Sequence, residues 1–418
     1  MARIVVVGGS LPGMAAAARL AKADHQVTII EKLDRLGGRL AEPGAWAPVL
    51  TFPAPLKDLF RKSGRAFDAE FGRRGLRLIP APNVEHHFAD GTRLSWPTDR
   101  AEQWRLMSER YSPDVATRWR DLLDDLDESW QLVRPLGLEG ELIDRAQITS
   151  RRHRLDPKLT IEALARRQPH PHLGSLVRDV AFRIGSDPYR TPAWLATRLS
   201  VDRMFGRWLL VGADDRPQPA TAILDVLAQR LATRGVRVVT EALVTSISST
   251  RVTTDQAAFD GDAVISTINP WVQPRLVGDT SWATRLTTAR LRPALAPHVT
   301  VTHLPQQEPF SEQVRHTASG PIVTYRRPTE SGTEVIVHDH ARPTPAASYG
   351  ARWDGHASWL LRPAVRTPRK LALYVASASG RGGNEPWAQL LTAALATYAA
   401  HEDLTGEDIR PSNRDYKP

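Results

Sequence analysis

The stretch "RIVVVGGSLPGMAAAARLAKADHQVTIIEK", Arg3 to Lys32, leaves few folds open. "RIVVV" has the unbroken apolar run of a parallel strand buried on both faces. "MAAAARLAK" reads as a helix and "QVTIIE" as a second strand that ends on Glu31, with Lys32 behind it. Between strand and helix the spacing is G-x-S-x-x-G, where a dinucleotide fingerprint has G-x-G-x-x-G. Gly8 permits the tight turn, Gly9 continues it, and Gly13 lets the helix approach the strand. The middle position is Ser10, a small side chain whose hydroxyl can donate to a phosphate at the helix N-terminus. Pro12 falls in the first helical turn, where a missing N–H costs little. Glu31 stands where an acid binds ribose hydroxyls and disfavours a 2′-phosphate. The pattern predicts a Rossmann-like dinucleotide site. A ligand-free α/β turn is the bland alternative.

A chain of 418 residues with 41 % apolar residues exceeds one ordinary core, so two domains or one split domain are expected. The chain holds no cysteine, which excludes disulfides, thiolate metal ligands and a cysteine nucleophile. The formal charge is +9 and the pI is about 10.1, with nearly all basic residues arginine. That admits an anionic partner. The basic residues form no long run interleaved with aromatics, so a nucleic-acid partner is not expected. A peripheral membrane contact stays open. No apolar run is long enough to span a bilayer. The N-terminal apolar residues read as strand and helix, not as a secretory leader, and a cytoplasmic location is expected. His170/His172 and His338/His340 lack acids at helical ligand spacing, so no metal is expected. No G-x-S-x-G elbow points to a serine hydrolase.

"RLGGRL", Arg35–Leu40, follows the acid closely. Together the glycine turn, the acid and this motif resemble the two-dinucleotide-binding-domain flavoproteins. "VLTFPAPLKDLFRKSGR" (Val49–Arg65) and "HHFADGTRLSWP" (His86–Pro97) narrow the resemblance to the phytoene desaturase-like branch, which includes carotenoid desaturases and retinol saturase-like enzymes. "FADGT" is also a plain hairpin turn on Asp90-Gly91. Further on, "FGRW" with Gly212, then "ILDVLAQRLATRGVRVVTEALVTSIS", resemble the family's return to the flavin domain, where a segment around Val244 faces the adenine. "DAVISTINPW" resembles the next core strand. "LALYVASASGRGGNEPWAQLLTAALATYA" resembles the closing motif, with Gly382, Gly383 and Trp387 beside the flavin. The resemblance implies FAD as cofactor, bound by Gly8, Gly9, Ser10, Gly13, Glu31, Lys32, Gly38, Arg39, Val244, Gly382, Gly383 and Trp387. The chain departs from the family at three places. "PGAWAP" lacks the family's aspartate, Val211-Gly212 replaces a glycine pair, and Ala376-Ser377 stands in the closing motif.

The expected fold is α/β: a Rossmann-like FAD-binding domain built from residues 1–97, 200–285 and 368–418, with an α+β substrate domain from 98–199 and 286–367. Trp104, Met107, Tyr111, Val115, Trp119, Leu122, Leu126, Trp130 and Val133 recur at helical spacing. They read as helix–helix core or as the wall of an apolar tunnel, and Ser112-Pro113 predicts a new helix within them. "VTVTHL", "PIVTYRRP" and "EVIVHDH" read as strands of a second sheet. The resemblance implies a desaturase or saturase acting on an apolar, isoprenoid-like small molecule. An oxidase of a smaller amine or polar substrate and a non-catalytic flavin-fold partner are the other two readings. No residue identifies itself as a catalytic base.

Overall fold

The computed structural model describes residues 1–151, 155–367 and 372–411. Its centre is a five-stranded sheet in which every neighbouring pair is parallel, in the order Leu373–Val375, Ala263–Ser266, Arg3–Val7, Gln26–Ile30, Arg237–Val239. Segments far apart in the chain thus meet in one sheet. Residues 368–371 and 412–418, at the edges of the last of those segments, lie outside the described residues.

Alternation along Arg3–Val7 explains the layering. Ile4 and Val6 face one way and pack with the helices Leu11–Lys22, Ala222–Thr233 and Pro386–Thr405. The alanine run of the first helix keeps that layer thin, since Ala15 to Ala18 are all buried. Val5 and Val7 face the other way and meet Val244, Ile247 and Val252 of a small antiparallel sheet.

The second layer system is a six-stranded sheet of Pro293–Leu304, Gly332–Ala351, Ile322–Thr329, Ser311–Arg315, Val84–His87 and Arg93–Trp96, in that order. The three strands read from the 295–340 region all form. Val84–His87 and Arg93–Trp96 are a hairpin turning at Asp90-Gly91, with Gly91 at φ +85°. This hairpin lies at the end of the 1–97 segment, yet it pairs with Ser311–Arg315 and not with the parallel sheet.

Ser112 caps the helix Pro113–Val133, its hydroxyl accepting from the Val115 N–H at 3.3 Å, where Ser-Pro predicted a start. Met107, Trp119, Leu126, Trp130 and Val133 are buried against neighbouring helices, which makes most of the aromatic stripe helix core. Trp104 is an exception and is half-exposed. Among the described residues no helix is long and apolar enough to cross a membrane.

Candidate functional site

The glycine turn folds as its spacing demands. Gly8 adopts φ +97°, and its N–H donates to the Ile30 carbonyl at 2.8 Å. A Cβ at Gly13 would collide with the Gly8 carbonyl, so glycine alone permits this approach of helix to turn. Ser10 is the N-cap residue of Leu11–Lys22, and its backbone bridges Gly37 of the second glycine motif. The Gly37 N–H donates to the Gly9 carbonyl at 2.7 Å, and a Cβ at Gly38 would press on Ser10 at 3.0 Å. Two motifs separated by a strand and a helix therefore form one backbone surface.

Glu31 is only 5 % exposed. Its carboxylate accepts from the Gly9 N–H at 2.7 Å and the Leu33 N–H at 2.9 Å. The acid expected to meet a ribose thus also braces the turn, using one lone pair on each oxygen. Glu31→Ala should lower stability by about 1.5–3 kcal/mol, because two backbone donors lose a charged acceptor. A urea midpoint indistinguishable from the parent's would contradict this.

The remaining expected contact residues lie at several places in the fold. Lys32 is exposed. Val244 is buried between the small sheet and the parallel sheet, with its segment tied to Glu31 by the Ala242 N–H at 3.0 Å. Gly382 packs against the Gly137 carbonyl, and Gly383, at φ +113°, precedes the last helix. Trp387 closes an aromatic cluster with Phe52 and Trp130. Phe52, from the "VLTFP" segment, holds a left-handed φ of +48° and stacks on Phe205 at 4.1 Å.

Arg39 and Trp387 line a cavity of about 330 Å³. Its walls come from the six-stranded sheet, the small sheet Val49–Thr51, Arg207–Val211 and Arg77–Pro80, the helices Pro171–Arg183 and Thr197–Phe205, and the start of the last helix. Trp46, Trp96, Trp119, Leu123 and Leu176 supply apolar surface. Ionisable groups supply much of the rest; of these the sequence singled out Arg39 and weighed His338 and His340 only as metal ligands.

Glu312, 3 % exposed, binds the Arg207 guanidinium through Oε2 and lies 3.5 Å from Arg183 through Oε1. Arg198 donates to Glu385 at 2.7 Å. His338 donates from Nε2 to the Gly44 carbonyl at 2.7 Å, and burial pulls it down to about 4. His340 falls to about 3 through burial and the adjacent His338, so both rings are neutral near pH 7. Burial pushes Asp202 up to about 6, although Arg207 and Arg183 pull the other way.

The sign for stability follows. A carboxyl raised above its ordinary value binds its proton more tightly in the folded state, so stability falls as pH rises from about 4 to about 6. Asp202→Asn should therefore raise stability at pH 7.5 by about 1–2 kcal/mol, after discounting for water in the cavity. Equal urea midpoints for variant and parent at pH 7.5 would contradict it.

A dinucleotide fits the donors present. The first turn of Leu11–Lys22 carries no side-chain cap and no acid, which leaves its N–H groups to an anion. Arg39 follows Gly38 in the chain and is half-buried. It touches only the Ala45 carbonyl at 3.3 Å and the Tyr349 ring at 4.4 Å, and has no acidic partner among the described residues. Burial pulls its guanidinium below the usual range, and a phosphate would supply the missing anion. Among the described residues no group of three or more His, Asp or Glu side chains is placed to hold a metal ion. His172 instead contacts Asp90 at 3.0 Å and Tyr111 at 2.7 Å.

Comparison with known proteins agrees with this geometry. Residues 6–57 match a family model described as an NAD(P)-binding Rossmann-like domain. Half of the chain is 25 % identical, over 229 residues, to a 4,4′-diapophytoene desaturase (4,4′-diaponeurosporene-forming) of Staphylococcus aureus. Over that stretch the chain resembles phytoene desaturases. The match covers 43 % of that desaturase, so the chain spans less than half the length of the curated relatives it resembles. An oxidoreductase structure from Methanosarcina mazei superposes with a TM-score of 0.64 at 15 % identity, covering 94 % of this chain and 99 % of that one. Cyclohexylamine oxidase from Brevibacterium oxydans superposes with a TM-score of 0.59 at 13 % identity, over 96 % of this chain and 99 % of that one. These superpositions establish the α/β flavoprotein-type fold.

Proposed function

We propose that the chain is an FAD-dependent oxidoreductase that acts on a small molecule held in the cavity. One connection carries this reading: the glycine turn and its uncapped helix are joined by the Ser10–Gly37 bridge to the motif that ends in Arg39, which lines the cavity and has no acidic partner among the described residues. Bound there, FAD supplies a ring that can take a hydride from a substrate C–H. The chain supplies the rest. Gly9, Ser10, Gly38 and the first-turn N–H groups hold the pyrophosphate, and Arg39 balances its charge. Glu31 receives the ribose hydroxyls with its free lone pairs. Trp387, Gly382 and Gly383 border the ring. The cavity walls shield the reacting carbon from water.

The desaturase relatives favour an apolar, isoprenoid-like substrate. The Asp202 carboxylate, which accepts no hydrogen bond among the described residues, favours a polar one, since a hydrocarbon leaves it so. Anaerobic mixing of the flavin-loaded protein with an isoprenoid alcohol and with an alkylamine tests the catalytic reading. Bleaching of the flavin's visible absorption by either compound supports it. A fully flavin-loaded protein that no candidate bleaches would point instead to a non-catalytic binding role.

A further inference from the structure

One wall of the cavity sets three carboxylates among arginines. Asp179, Asp202 and Glu312 face Arg183 and Arg207. The other two arginines on that side are spoken for: Arg198 by Glu385, and Arg203 by Asp124 and Asp127. Glu312 serves both Arg207 and Arg183. Asp179 lies 3.4 Å from His316, whose other ring nitrogen bonds His86 at 2.9 Å. Asp202 is different. It sits on the helix Thr197–Phe205 with its carboxylate on the cavity wall, and among the described residues it has no hydrogen-bond or ion-pair partner. Asp202 is half-buried and feels the charges of Arg207 and Arg183, yet its carboxylate accepts no hydrogen bond there, which leaves it free to accept from a ligand donor.

We propose that this cavity binds a protonated amine, with the ammonium group seated on the Asp202 carboxylate. An ammonium supplies the N–H donors that the Asp202 carboxylate lacks. Trp96, Trp119 and Leu123 offer apolar surface to its hydrocarbon part. An anionic ligand at this position would be repelled by Asp202, and an isoprenoid hydrocarbon would leave the carboxylate without a donor. The inference rests on the flavoenzyme reading only in taking this cavity as the substrate's place.

The test is calorimetric titration of the purified, flavin-loaded protein with three probes of one chain length: n-octylamine, n-octanol and n-octanoate. At pH 7.5 the amine should bind about tenfold more tightly than the alcohol, with the carboxylate weakest. Asp202→Asn should abolish that preference while leaving octanol affinity unchanged, and Asp202→Glu should keep most of it. In the parent the preference should fade as pH falls through about 6, as Asp202 takes up a proton among Arg207, Arg183 and Glu312. This pH series decides the matter even where the Asn variant does not fold. Octanoate or octanol binding as tightly as the amine, or an amine preference that survives in Asp202→Asn or below pH 5, would overturn the proposal. Flavin absorbance read on the same samples separates the two readings. Amine preference without flavin refutes the cofactor alone, whereas flavin without amine preference refutes the amine site alone.

Discussion

Gly13→Val protein should be far less stable than the parent and should emerge from purification without flavin. The cause is local and steric. A Cβ at position 13 would fall well inside contact distance of the Gly8 carbonyl, and within 3.0 Å of the Thr267 methyl. The first obstacle is backbone, fixed by the Gly8 N–H bond to Ile30 at 2.8 Å, so it cannot rotate away as a side-chain tip could. Overpacking of a rigid site costs about 1–3 kcal/mol and more where the neighbour is immobile. Moving the helix off the turn would also pull the Ser10–Gly37 bridge apart, and with it the surface meant for the pyrophosphate. Gly72→Ala is the matched control, because an added Cβ there meets nothing within 4 Å. Denaturation midpoints and flavin content should change sharply in the first variant and barely in the second. A Gly13→Val protein that keeps both would mean that the helix does not approach the turn as described.

The second large effect is expected at Arg362, a residue remote from any recognised motif. It is 1 % exposed, and its guanidinium lies over Trp353 at 3.8 Å. It donates to the carbonyls of Ala351 and, at 3.1 Å, Gly380, so it ties the end of the long strand Gly332–Ala351 to the loop before the last helix. Among the described residues no acid pairs with it, and burial pulls it down to about 9. Arg362→Leu would leave those carbonyls without a donor, at about 1–3 kcal/mol each. The expected loss is about 3–5 kcal/mol, read as a lower urea midpoint. Arg362→Lys, which keeps a charge but not the planar fork, should fall between. A Leu variant as stable as the parent would show that the loop is held by other means. Because Gly382 and Gly383 follow directly on this loop, flavin retention should weaken in step with stability.

These two sites also show what can be read from a sequence of this kind. The Gly8–Gly13 turn was legible because its physics is local: a strand, a turn and a helix lie within twenty residues, and glycine at fixed offsets has one steric meaning. The Asp90-Gly91 hairpin and the Ser112 cap were legible for the same reason. The cavity wall was not. Arg183, Asp202, Arg207 and Glu312 come from two helices and two strands, and each alone looks like one more charge on a solvated face. Only the pairing of Val84–His87 with Ser311–Arg315 carries Glu312 to the cavity. That pairing has no local signal, and it also draws the Val84–Trp96 hairpin away from the parallel sheet. The tryptophan stripe misleads in the opposite sense. Its spacing is equally consistent with a tunnel, yet Trp130 packs on Phe52 and Trp387 as ordinary core, while Trp119 reaches the cavity. The three departures from the family motifs fall within the same reasoning. Ala376-Ser377 leads into the loop that Arg362 holds, so that loop has a fixed conformation without the family's usual residues.

The most direct measurement is a titration of FAD into the purified chain after its flavin has been stripped, followed by flavin fluorescence, with circular dichroism confirming the fold. The account predicts saturation at one FAD per chain, and an affinity about tenfold to a hundredfold weaker when Arg39 is replaced by methionine, because a buried phosphate then loses a charged partner. A folded chain that takes up no FAD, or that binds it equally well with Arg39→Met, would contradict the assignment of this turn and cavity to a flavin dinucleotide.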